Sequence, residues 1–128
     1  MPFVRDGEAS DRSWVDLDAI AEEMGPPPWR VPLVGTSGLR VVLIAWEPGF
    51  ATVPHLHPWA EETFEVVRGR AVFSIGDEPA REVGPGSFLL ARRGVRHAIR
   101  VLQGGEPLLI LAAVAPNEDR PDETIEPT

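Results

Sequence analysis

Proline and glycine recur so often in this chain that few stretches between them exceed one strand in length. Fourteen prolines and twelve glycines are spread over 128 residues. Proline cannot donate a backbone hydrogen bond and glycine turns the chain easily, so each tends to mark the end of a regular element. Leu39–Trp46 is an apolar, β-branched run, and Ala51–His57, Glu62–Arg68, Arg70–Ile75, Ser87–Ala91, Val95–Leu102 and Leu108–Ala115 follow it as further short runs. Glu47-Pro48-Gly49 has the chemistry of a type II turn. Gly76-Asp77, Gly84-Pro85-Gly86 and Gly104-Gly105 separate the later runs. About eight short strands at such spacing predict an all-β sandwich or barrel.

The barrel is expected over residues 39–115, with an N-terminal arm over 1–38 and an acidic tail over 116–128 that frays. Within the arm, residues 1–12 read as loose chain. Ser13-Trp14-Val15-Asp16 reads as a capping box opening a short helix through Met24, stopped by Gly25. Val15, Leu17 and Val31 suit extended chain equally well. Pro26-Pro27-Pro28 reads as a linker or a wrapping segment of polyproline character.

The net charge of −8 belongs to the ends: −5 over residues 1–25, −4 over 116–128 and +1 between them. No basic stripe is present, so a nucleic-acid partner is not expected. The N-terminus lacks the apolar core of a signal peptide, and no apolar run is long enough to cross a bilayer. The expected setting is the cytoplasm, with no membrane partner.

The chain has no cysteine, lysine or tyrosine. That removes disulfides, thiolate chemistry, Schiff bases and phenolic acids from its repertoire. What remains is three histidines, at positions 55, 57 and 97. His55 and His57 are two residues apart in an expected strand, so both imidazoles point to one face. Glu62 opens the next strand after a short connection, and a hairpin brings its carboxylate beside the pair. His97 lies on a later strand that can return to the same face. Imidazoles with one carboxylate suit a first-row divalent ion, and this donor set does not separate Fe, Mn, Ni or Zn.

The stretch Gly49-Phe50-Ala51-Thr52-Val53-Pro54-His55-Leu56-His57-Pro58-Trp59-Ala60-Glu61-Glu62, running on to Gly69, resembles the first motif of the cupin superfamily. Gly86, Gly94 and His97 match its second motif, while Arg92 stands where proline is usual and Val101 where asparagine is usual. The spacing to Gly69 selects Glu62 rather than Glu61 as the ligand, and adjacent strand residues face opposite ways. The resemblance implies a double-stranded β-helix, a jelly-roll barrel, with one divalent metal held by His55, His57, Glu62 and His97. Strand parity then places Phe64 and Val66 on the face of Glu62, Ile99 and Val101 on that of His97, and Ala51 and Val53 on that of His55. Phe64 is the expected substrate contact, with Phe50 and Trp59 edging the mouth or packing a dimer interface.

For function the resemblance implies a metal-dependent enzyme acting on a small molecule, an oxygenase or a related lyase or isomerase. The alternative it leaves is a non-catalytic small-ligand or sensing module whose metal is structural. Thiol dioxygenases of this fold are set aside because they resemble a three-histidine site without the glutamate. Sugar epimerases are set aside because they rely on a histidine base and a tyrosine acid. A homodimer is expected, since the family pairs barrels through edge strands.

Overall fold

The computed structural model describes residues 5–6, 13–117 and 123–124. Its elements in chain order are β1 (Arg5–Asp6), α1 (Leu17–Met24), β2 (Trp29–Gly35), β3 (Arg40–Trp46), β4 (His55–Leu56) and β5 (Glu61–Arg68). β6 (Ala71–Ile75), β7 (Arg81–Val83), β8 (Phe88–Ala91), β9 (His97–Val101), β10 (Leu108–Ala115) and β11 (Glu123–Thr124) follow. Two sheets form, with strand orders β1-β2-β3-β10-β5-β8 and β11-β4-β9-β6-β7. All pairings are antiparallel except that of β1 with β2. This is the expected all-β double-stranded β-helix. Among the described residues, no helix is long and apolar enough to cross a membrane.

The core lies between the sheets. Phe64, Val66, Ala91, Leu108, Ile110 and Ala112 from one sheet meet Ala71, Phe73, Ile99 and Val101 from the other. Strand alternation explains the choice of residues. On β5 the even-numbered Glu62, Phe64 and Val66 are buried, while Glu61 and Glu65 face solvent. β10 is apolar at nearly every position because both of its faces are covered. Leu108 and Ile110 enter the inner core, and Leu109 joins a second cluster on the outer face with Trp29, Val31, Leu33, Leu43 and Ala45.

The outer cluster is roofed by α1, through Leu17, Ile20, Ala21 and Met24. Its N-cap is Asp16, whose side chain accepts from the Ala19 amide at 3.1 Å. The helix thus starts three residues after the expected Ser13, at the side chain best placed to satisfy the first-turn amides. It ends at Gly25, as expected, with φ +74°. An ion pair between Arg68 and Asp18 ties α1 to β5.

Two segments differ from the sequence reading. Trp29–Gly35, placed in the arm, pairs along β3 with an irregularity between Pro32 and Val34. A proline at a bulge does not interrupt the ladder. The acidic tail, expected to fray, supplies β11, which pairs with β4. The loose-arm reading of residues 1–12 otherwise lies outside the described residues, apart from the pairing of β1 with β2.

Gly69 joins β5 to β6 at φ +82°, where an added Cβ would sit 2.4 Å from the Pro107 carbonyl oxygen. Gly69→Ala is therefore expected to destabilise by about 1–3 kcal/mol from backbone strain alone, with the backbone clash adding to it. Urea unfolding of the variant against the parent checks this. An unchanged midpoint would refute the close approach.

Candidate metal centre

The five-stranded sheet delivers three imidazoles to one place. His55 on β4 is the register partner of His97 on β9, and their ring centroids are 4.4 Å apart. His57 follows β4 directly, its carbonyl accepting from the Gly94 amide at 3.0 Å, which ties the β8–β9 turn to the histidine pair. The opposite sheet supplies Glu62, paired on β5 between Val114 and Ala91. One potential ligand atom from each of His55, His57, Glu62 and His97 lies within 4.8 Å of all the others. His57, Glu62 and His97 are buried and His55 is half-buried. Glu61, the neighbouring carboxylate, is exposed on the other side of the strand.

The hydrogen bonds test whether this group fits a cation. Glu62 Oε1 lies 2.7 Å from His57 Nε2 and 3.0 Å from His97 Nε2. His97 Nδ1 lies 3.2 Å from the Val95 carbonyl oxygen, and His55 Nδ1 lies 3.0 Å from that of Val53. A neutral imidazole has one proton, and His97 has an oxygen acceptor at each ring nitrogen. If Nδ1–H donates to the carbonyl, the Nε2 lone pair points at a carboxylate oxygen, and a cation between them resolves the repulsion. Backbone carbonyls bound to the far nitrogen are also the usual way of fixing a ligand imidazole. The four side chains could hold a first-row divalent ion.

The electrostatics describe the metal-free alternative, in which the Nε2–H groups of His57 and His97 donate to the Glu62 carboxylate. Burial alone pushes the Glu62 carboxyl up, but the hydrogen bonds and charge of His57 and His97 outweigh it and bring it down to about 2. Burial lowers His55, partly opposed by its bond to Val53. For the metal-free chain, both values lie below their unfolded ones. The His55 contribution to stability is complete above 6.5 and drains as pH falls beneath it. The Glu62 contribution is complete above 4.5 and drains between there and about 2. Urea titrations of the apo-protein across this range should show both losses, and Glu62→Gln should erase the lower one. A lower step that survives in that variant would contradict the assignment.

The expected substrate residues are placed differently from one another. Phe64 is buried beside the histidines, its ring centroid 5.5 Å from that of His97 and 5.3 Å from that of Phe73. Trp59 is 44% exposed in the connection between β4 and β5. Phe50 lies elsewhere: its carbonyl accepts from the Val101 amide, and its ring stacks on Trp46 at 5.1 Å. Four residues along β9 separate it from His97, about 13 Å at a strand's rise. Phe50 packs against the inner core rather than the donor group. Ala51 and Val53 are also exposed instead of sharing a buried face with His55. Pro54 interrupts that segment, and only Ala51 keeps a bridge, to Arg100.

A family model described as a cupin domain matches residues 42–114. No curated protein matches the sequence. Among solved structures, the chain is similar to an uncharacterised conserved protein with a double-stranded β-helix domain from Klebsiella pneumoniae. The TM-score is 0.75 at 23% identity, covering 91% of this chain and 100% of that one. KdgF from Halomonas sp. gives a TM-score of 0.65 at 23% identity, covering 70% and 79%. The DMSP lyase DddQ from Ruegeria pomeroyi gives 0.65 at 24% identity, covering 73% of this chain and 49% of the lyase. At these identities the likeness is one of fold.

Proposed function

Because the chain belongs to the cupin family, we propose that it is a metal-dependent enzyme acting on a small organic molecule in the cytoplasm, either an oxygenase or a lyase or isomerase. The observation that carries this reading is the convergence of His55, His57, Glu62 and His97 within 4.8 Å, with Phe64 packed against His97. These four side chains would hold one divalent ion, which when bound would supply Lewis acidity or activate a bound small molecule.

The chain's own contribution is binding, orientation and exclusion of water. Among the described residues, the buried polar or charged side chains are His57, Glu62 and His97, all of them in the donor group. Phe64 forms an apolar wall beside His97, and the exposed Trp59 in the β4–β5 connection is assigned to the substrate as it enters. An apolar wall beside a charged centre favours a small organic substrate over a bare anion.

The experiment is anaerobic purification with metal quantification, then a substrate screen read by both oxygen uptake and product analysis. Turnover with oxygen uptake assigns an oxygenase, and turnover without it a lyase or isomerase. Stoichiometric metal with ligand binding and no turnover would overturn the enzyme reading in favour of a sensing module. A homodimer belongs to the same reading: β7 and β8 are sheet edges, and Phe88 on β8 is 66% exposed. A monomeric mass by sedimentation removes that part.

A further inference from the structure

We propose that the C-terminal strand β11 is a positioning element of the metal centre, holding the strand that carries His55 so that the tail beyond Asn117 sets metal affinity. This rests on the reading that the four side chains bind one cation.

The argument starts from how weakly β4 is held by its neighbour in the barrel. It has two residues and shares one register pair with β9, His55 with His97. Pro54 precedes it and lacks the amide that would extend the ladder. With β9 as its sole neighbour, so short a strand would be a sheet edge and among the first elements to open. Of the four candidate ligands, His55 is also the least buried, so packing restrains it least.

β11 changes that position. The sheet order puts β4 between β11 and β9. Thr124 is in register with His55, and Glu123 with Leu56. His55 therefore has a backbone neighbour on both sides, and the second comes from a segment more than sixty residues later in the chain. Pairing on both sides restrains His55 before the cation arrives and lowers the ordering cost of binding. Losing a partner that orients a metal ligand costs about tenfold to a hundredfold in affinity, and β11 is expected to act on that scale.

The direct probe is deletion of residues 118–128, with Co(II) alone as the metal. Affinity is expected to fall about tenfold to a hundredfold, with a changed visible Co(II) spectrum as one ligand loosens. In the metal-free protein, hydrogen exchange across residues 53–57 should quicken by about tenfold or more while β5 and β6 keep their protection. Glu123→Pro with Thr124→Pro should reproduce both effects, because proline blocks strand pairing. Amide replacement of Glu118, Asp119, Asp122, Glu123 and Glu126 should leave both near the parent values. That variant separates backbone pairing from attraction of the cation by tail charge.

Parent-like affinity and exchange in the deleted chain would overturn this inference alone. An amide-tail variant that loses as much affinity as the deletion would overturn it in favour of charge. Failure of the full chain to bind cobalt would overturn the metal reading, and the affinity claim with it. Exchange across residues 53–57 would still decide whether the tail holds β4.

Discussion

His97→Ala should lose its metal while keeping its barrel. His97 is 1% exposed and touches three parts of the centre at once: the Glu62 carboxylate, the Val95 carbonyl and the Phe64 ring. Removing it takes away one of four candidate ligands and one of the two imidazole contacts that keep Glu62 ionised. Affinity is expected to fall by more than about a hundredfold, the upper end of what losing an outer partner costs. The barrel should persist, since the inner core is built mainly from β5, β6, β9 and β10 residues that do not depend on the imidazole. Leaving Glu62 with fewer partners should cost about 1–3 kcal/mol. Metal quantification beside circular dichroism checks both halves. His57→Ala should behave alike, and full metal content in either variant would end the assignment.

Trp29→Ala should do the opposite, draining stability with little effect on metal per folded molecule. Trp29 is 1% exposed in the outer cluster, and its indole N–H donates to the Gly25 carbonyl at 2.8 Å, tying the end of α1 to β2. Truncating a buried tryptophan costs about 3–5 kcal/mol, a large share of the roughly 5–15 kcal/mol that holds a domain together. Trp29→Phe keeps much of the volume and should lose about 1 kcal/mol for the missing hydrogen bond. Urea unfolding gives the energies, and metal titration of the folded fraction tests the separation. A Trp29→Ala chain as stable as the parent would show that the outer cluster contributes little.

The parts that local chemistry determines were legible in the amino-acid order. Glycine at the third position of Glu47-Pro48-Gly49 requires a positive φ, and Gly49 has φ +87° with the Phe50 amide bonded to the Glu47 carbonyl. The motif spacing to Gly69 selected Glu62, and strand alternation put Glu61 on the other face and Phe64 inside. The parts that depend on distant partners were not legible. Trp29–Gly35 follows three prolines and contains a fourth, so its strand character comes from β3 lying alongside it. β7, a three-residue polar strand, pairs with β6 without an apolar signature of its own. β11 is polar too, and backbone pairing leaves little trace in side-chain type. Phe50 looked close to the histidines in sequence, yet the segment runs antiparallel along β9 and carries it away from them.

The six-stranded sheet is apolar on both faces, and the two faces answer to different demands. One faces the interior and carries Glu62 toward the imidazoles of the other sheet; the other packs beneath α1, away from the candidate donors. A protein organised in this way can exchange side chains on its reactive wall while an independent reserve on the reverse keeps the chain folded. Substitutions that reshape ligand choice are then less prone to be lost as misfolded product, which makes such a barrel receptive to new specificities.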